Sequence, residues 1–271
     1  MKLFKYCLTI TALMALVACG GGGGSDSSSS SSSAPSTTSY TGVGSTVLNL
    51  DWSTHTNPDG SSHQTMVNNI ILQTATGATL VPVTYTGTPS TSSQWTQTIA
   101  NTLAGMSNGQ IINMSAGFID YTTKSSIVVP STVPNILISR SAGNNGLPTL
   151  NTDQNQALYN SVYKSGLILV GALGSDGNIA SWSATAGAAA DRFVITDATC
   201  TGTSYSGTSC SAPRVAGYAA IVKQKYPNAT GDQIASAILN TAVLKSGWDP
   251  AIYGKGQVDL TAALNYLGTA K

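Results

Sequence analysis

The chain has 271 residues, of which 28 are glycine, four are cysteine and only 8% are charged. Two of its twelve basic residues, Lys2 and Lys5, fall in an apolar leader, leaving ten against eleven acidic ones. That near-neutral balance argues against nucleic acid as a partner, and the remaining length suffices for one domain with a substantial core.

Met1 to Lys5 is a short basic stretch, and Cys7 to Val17 is mostly apolar but too short for a comfortable membrane span. The leader ends Leu16-Val17-Ala18-Cys19, which resembles a bacterial lipobox. The resemblance implies a signal peptide over residues 1–18, cleavage before Cys19 and lipid attachment to its thiol. An ordinary signal peptide with an incidental cysteine is the alternative. Gly20 after the cysteine, rather than Asp, points to the outer membrane or surface of a Gram-negative cell. Each buried CH₂ of an acyl chain adds about 0.8 kcal/mol of anchoring. Residues 19–40 begin with a glycine run and continue into serines, a flexible tether that cannot form a core. The expected folded domain is 41–271, with no room for a folded pro-segment before it, and a monomer is the default.

Within the domain, Thr46 to Leu50 is a short apolar run suited to a strand ending at Asp51. Ser61-Ser62 can cap a helix whose face carries Met66, Val67, Ile70 and Ile71. Ala78 to Val83 is extended, and Pro82 places it at a sheet edge. Trp95, Ile99 and Leu103 lie four apart, a helical spacing. Ile111 to Met114, Asn135 to Ile138, Leu167 to Val170 and Phe193 to Ile195 are buried-type strands, with a helix over Gln156 to Lys164 among them. Thr230-Gly231-Asp232-Gln233 is a capping box, and Asp259 starts a last helix with Leu260, Leu264 and Leu267 inward. Short apolar strands separated by helices predict an α/β fold: one mostly parallel sheet with helices on both faces. Sites in such sheets lie beyond the carboxyl ends of strands, where Asp51, Ser115, Gly143-Asn144 and Gly171 are expected.

Gly207-Thr208-Ser209-Cys210-Ser211-Ala212-Pro213 leads into an alanine-rich apolar run with few polar residues until Lys223. Small and apolar residues on nearly every side describe a helix buried all round. A hydroxyl at its N-terminal end sits among unpaired N–H groups at the positive end of the helix dipole. Alone, Ser209 reads as an N-cap.

Taken with its neighbours, that stretch resembles the nucleophile motif of the subtilisin-like serine proteases (subtilases, peptidase family S8). Leu48-Asn49-Leu50-Asp51 looks like the strand end carrying that family's aspartate, and Ser62-His63-Gln64-Thr65-Met66-Val67 like the helix start carrying its histidine. Asn113-Met114-Ser115-Ala116-Gly117 is similar to the strand lining its substrate. Ser141-Ala142-Gly143-Asn144-Asn145-Gly146 is similar to the loop bearing its oxyanion asparagine. Ala180 to Ser183 and Tyr253 to Asp259 match further landmarks, so the resemblance runs in order from about residue 43 to 268. It implies a single domain hydrolysing peptide bonds with a triad of Asp51, His63 and Ser209, in the order known for subtilisin. His63 would take the serine proton, Asp51 would orient the imidazole, Asn144 would donate to the oxyanion, and Ser115, Ala116 and Gly117 would pair with an extended substrate.

The chain departs from the family around His63. Gln64 stands where glycine is usual, Met66 and Arg214 replace histidines, and His63 follows Asp51 by only twelve positions. Arg214 needs a partner in a buried helix, and His55, in a turn-like Thr-Asn-Pro-Asp-Gly context, is expected to be exposed. These departures keep open a catalytically impaired, subtilase-like binding lipoprotein. A lipase or esterase fits poorly, since Gly207 to Ser211 lacks the second glycine of G-x-S-x-G. Cys200 and Cys210 can pair in an oxidising compartment, or Cys210 can pack as a free small hydrophobe. No cofactor and no metal are expected from the spacing of acidic and histidine residues.

Overall fold

The computed structural model describes residues 39–117 and 133–269. The expected signal, Cys19 and nearly all of the tether lie outside the described residues. Among those described, no helix is long and apolar enough to cross a membrane.

The elements run β1 Thr46–Trp52, α1 His63–Thr74, β2 Thr79–Tyr85, α2 Ser92–Ala104, β3 Ile111–Met114, β4 Leu137–Ser141, α3 Asp153–Tyr159, β5 Leu167–Leu173, β6 Phe193–Asp197, α4 Thr208–Lys225, α5 Gly231–Thr241, α6 Pro250–Tyr253 and α7 Leu260–Thr269. All six strands are parallel, in the order β2-β1-β3-β4-β5-β6. The α/β fold read from the sequence is the fold the chain adopts, and Pro82 does sit on the edge strand β2.

Strand side chains alternate between two cores. Val47, Ile111, Leu137, Ile168, Val170 and Val194 join α1, α4 and α5 on one face. Leu50, Ile112, Ile138, Leu167, Leu169, Phe193 and Ile195 meet Trp95, Ile99 and Leu103 of α2 and Leu158 of α3 on the other. Because the period is two, Asn49 and Asp51 follow Val47 onto the face that carries α1 and α4, whereas Arg140 follows Ile138 to the opposite face. Helix α4 is the element against which the first face is built: thirteen of its eighteen residues are buried. Its Gly217 meets α1, where an added Cβ would lie 2.6 Å from Thr74 Cβ and Cγ2.

Several elements differ from the sequence reading. Strand β1 continues through Asp51 to Trp52, so Asp51 is held in the ladder rather than in a turn. The helix expected over Gln156 to Lys164 starts earlier and stops at Tyr159, giving way to a 3₁₀ turn over Val162–Gly166. Ser161 is extended there and its hydroxyl accepts from the Tyr163 amide, a local bond that competes with helix continuation. Gly171 lies inside β5, not beyond its end, and an added Cβ there would stand 2.5 Å from the Phe193 ring. Helix α6 was not foreseen, although Asp249 as N-cap and Pro250 at the first position mark its start.

The tight α1–α4 crossing makes a specific stability prediction. Gly217→Val is expected to lower the unfolding free energy by about 1–3 kcal/mol through overpacking, measured by denaturant unfolding; an unchanged midpoint would show that the helices separate without cost.

Candidate active site

Two elements aim the charged residues. Ser62 caps α1 by accepting from the Thr65 amide, which places His63 in the first turn, facing the end of β1. Asp51 and His63 are almost wholly buried, and His63 Nδ1 lies 2.6 Å from Asp51 Oδ2. The other carboxylate oxygen, Oδ1, accepts from the Trp52 amide at 2.9 Å and lies 2.7 Å from His55 Nδ1. His55 is therefore not the exposed turn residue expected: its ring stacks between Trp52, at 4.0 Å, and His63, at 3.9 Å between centroids. It sits four residues after Asp51 because the chain turns back directly after β1, a placement that residue type alone does not signal.

The short interval between Asp51 and His63 closes as a tight loop. The Asn57 amide bonds the Ser61 carbonyl at 2.8 Å, Thr56 and Ser62 form an antiparallel bridge, and the His63 amide bonds the His55 carbonyl at 3.0 Å. Gln64 points outward to Thr84 on the edge strand, leaving the imidazole on Asp51. Met66 fills space against the sulfur of Cys210 and the amide of Asn57. Arg214 finds its partner in Asp197 Oδ2 at 3.0 Å.

Burial pushes the Asp51 carboxyl up, but hydrogen bonds from His55 and His63 and their charges outweigh it, so the group lies below the ordinary carboxylate value. Burial pulls His63 below the ordinary imidazole value; Asp51 opposes this shift and the charge of His55 adds to it. Asp51, His55 and His63 are also a group whose donor atoms, within 4.8 Å of one another, have the chemistry to hold a metal ion. The Nδ1 atoms of both rings already face the carboxylate oxygens, so a metal would have to replace these bonds.

Ser209 lies in the first turn of α4, 4% exposed. Its Oγ donates to the Ser115 carbonyl at 3.1 Å; among the described residues no hydrogen bond joins it to His63. A disulfide between Cys200 and Cys210 ties the preceding loop to this turn, with the Cα atoms 5.4 Å apart. Asn144 Oδ1 accepts from the Thr208 amide and hydroxyl, each at 2.8 Å, and its Nδ2 donates to the Tyr205 hydroxyl at 3.0 Å. Ser115 is held from below by buried amides: Asn113 Nδ2 donates to Ser115 Oγ and to Asn49 Oδ1, and Asn49 Nδ2 donates to Asn68 on α1.

His55, His63, Ser115, Gly117, Asn144 and Ser209 share the wall of one cleft of about 210 Å³. The structure thus gathers His63, Asn144, Ser115, Gly117 and Ser209 around one space, with Asp51 buried behind His63. Ala116 instead is fully buried, its carbonyl taken by Arg140. Besides His55, sequence reading passed over Tyr205, which holds Asn144, and Arg140, whose only signal was a charge inside an apolar strand.

The two-imidazole arrangement predicts a titration. His63 is expected to titrate below an ordinary histidine, and His55→Gln, which removes the charge interaction that lowers it, is expected to raise its midpoint. Histidine-resolved NMR against pH checks both; an unmoved His63 in the variant would exclude charge coupling between the rings.

Comparison with known proteins bears on the family and the fold. Residues 41–256 match the model described as the subtilase family. Subtilisin of Bacillus pumilus is 34% identical over 228 residues, covering 77% of this chain and 80% of that protein. Subtilisin E of Bacillus subtilis (strain 168) is 34% identical over 227 residues, 77% of this chain and 58% of that protein. The thermostable alkaline protease of Halalkalibacterium halodurans is 36% identical over 158 residues, 56% of this chain and 41% of that protein. The chain spans about half the length of several of the curated relatives it matches. Among solved structures, a protease from Pseudoalteromonas arctica PAMC 21717 superposes with a TM-score of 0.59 at 21% identity, over 84% of this chain and 91% of that one. The self-cleaved protease domain of PatA gives 0.58 at 18% identity, over 83% and 96%. At these identities the superpositions speak for the fold, while the family match and the sequence relatives carry the assignment. From its ordered landmarks, its parallel sheet and these matches together, the chain belongs to the subtilase family.

Proposed function

We propose that this protein is a serine endopeptidase in which Ser209 is the nucleophile, His63 the general base and Asp51 the group that orients it. The observation that carries this reading is the 2.6 Å contact of His63 Nδ1 with a buried Asp51, in a cleft that also holds Ser209 and Asn144. With Nδ1–H committed to Asp51, His63 Nε2 is left as the proton acceptor. Ser209 Oγ attacks the peptide carbonyl carbon as its proton passes to Nε2. The C–N bond then breaks, the same proton leaves with the amine, and water hydrolyses the acyl ester by the reverse relay.

Two resting hydrogen bonds must be exchanged first, and the substrate supplies both exchanges. An extended substrate pairing with the Ser115 backbone offers its own N–H to the Ser115 carbonyl, which releases the Ser209 hydroxyl from it. The developing oxyanion takes Asn144 Nδ2 from the Tyr205 hydroxyl, beside the backbone N–H of Ser209. The Cys200–Cys210 disulfide and the Thr208–Asn144 bonds hold the nucleophile turn and the oxyanion donor in register.

The same resting bonds favour a second reading, a catalytically impaired binding lipoprotein. A fluorophosphonate probe separates the two. Labelling of the folded protein at Ser209, abolished in Ser209→Ala, is expected; absence of labelling favours the binder. Where labelling occurs, Asn144→Ala in the unlabelled protein is expected to lower kcat for a chromogenic peptide by about 10²–10³, the scale seen when one such donor is removed from a subtilisin.

We further propose that residues 1–18 are a lipoprotein signal, that Cys19 carries lipid, and that residues 19–40 tether the domain to the outer membrane or surface of a Gram-negative cell. The Leu16-Val17-Ala18-Cys19 motif and the Gly/Ser run after it support this. Incorporation of an alkyne fatty acid, lost in Cys19→Ser, is the expected result; equal incorporation in both proteins would overturn it.

A further inference from the structure

The cleft beside Ser209 has a cationic floor. Arg140 lies on β4, on the face of the sheet opposite α4, and is 2% exposed. Its Nε donates to Asn155 Oδ1 at 2.8 Å, and its Nη1 donates to the carbonyls of Met114, at 3.0 Å, and Ala116. Those carbonyls flank Ser115, whose own carbonyl accepts from Ser209, so the guanidinium lies directly beneath the stretch on which the nucleophile rests. Three bonds fix its plane. Its Nη2 lies against Gly117, at 3.0 Å from where a Cβ would stand, and the lack of a side chain there leaves this edge of the guanidinium toward the cleft that Arg140 and Gly117 both line.

Apart from Arg140, the described residues that line this end of the cleft are neutral. Ser115, Ser141, Thr152, Gln154 and Asn155 line this end of the cleft, and no carboxylate is among its described lining residues. Burial pulls Arg140 down to about 10, with the charge of Asp153 opposing, so it stays protonated at neutral pH. Asp153 is itself buried outside the cleft wall, its Oδ1 accepting from the Gln154 amide. A buried cation facing a neutral cleft favours an anion there: a carboxylate gives it a charge-assisted partner, an apolar group leaves its edge desolvated, and a second cation is repelled.

We infer that Arg140 selects an acidic side chain, Glu or Asp, at the substrate residue whose carbonyl carbon Ser209 attacks. This rests on the proteolytic reading for its catalytic form. It makes Arg140 a specificity-determining residue and the natural substrate a protein segment presenting a carboxylate before the cleaved bond.

The test compares matched peptides that differ only at that residue, Glu against its neutral isostere Gln, with Leu and Lys alongside. The full chain is expected to favour Glu over Gln by at least tenfold in kcat/KM, and Arg140→Met to abolish or reverse the preference. Equal rates for Glu and Gln in the wild type would overturn the inference. A second arm needs no turnover: Ser209→Ala is titrated with fluorescent peptides ending in Glu or Gln. Tighter binding of the Glu peptide, weakened by Arg140→Met or by raised salt, supports the acidic preference even where fluorophosphonate labelling fails and the peptidase reading falls. Equal affinities, or no binding of either peptide, reject it. Should Arg140→Met not fold, the Glu/Gln ratio and its salt dependence in Ser209→Ala decide alone.

Discussion

Two imidazoles share the Asp51 carboxylate, and the local geometry of the cleft follows from how that carboxylate is held. Buried, it needs donors on both oxygens. Trp52 and His55 supply one oxygen and His63 the other. The stack Trp52–His55–His63 then fixes the plane of His63 from the side, while Asp51 fixes it from below. The short loop from Asp51 to His63 folds back so that its own residue, His55, reaches the carboxylate. A longer segment is unnecessary when the turn folds back onto the carboxylate at its start.

Helix α4 provides the second constraint. Its N-terminus must meet the ends of β1, β3 and β4 at once, and the close approach at Gly217 sets how near α1 comes to it. The bond from the Ser139 hydroxyl on β4 to the Ala212 carbonyl and the Cys200–Cys210 disulfide fix its first turns. Ser209 and His63 are thereby brought to one cleft by packing on a shared face of the sheet, not by any bond between them. The Ser209 hydroxyl donates instead to the Ser115 carbonyl.

The opposite face contributes the floor. Strand parity sends Arg140 away from α4, where Asn155 and two carbonyls hold it. One side of the sheet therefore carries Asp51 and the other the Arg140 guanidinium. The two meet only at the carboxyl edge, around Ser115 and Gly117.

Much of this was legible in the chain alone. Short continuous apolar runs, a period-four apolar spacing, the Ser62 cap, the Thr230 capping box and Pro82 at an edge are local consequences of backbone chemistry, and they specify a parallel α/β sheet. The order of Asp51, His63, Asn144 and Ser209 identified the family because each residue stands in a recognisable local frame. What the sequence left undecided depends on contacts between segments far apart or folded back on themselves. His55 looks like a solvated turn residue until the ring is seen stacked between Trp52 and His63. Arg140 is a misplaced charge in an apolar strand until β3 and Asn155 close around it. Helix α3 ends early because the Ser161 hydroxyl finds a local amide, and Gly171 lies mid-strand against a ring from β6. Local propensity decides which elements form; only the packed structure decides which side chains share a space, because burial, the strand register and the desolvation of each charge are properties of the assembled sheet.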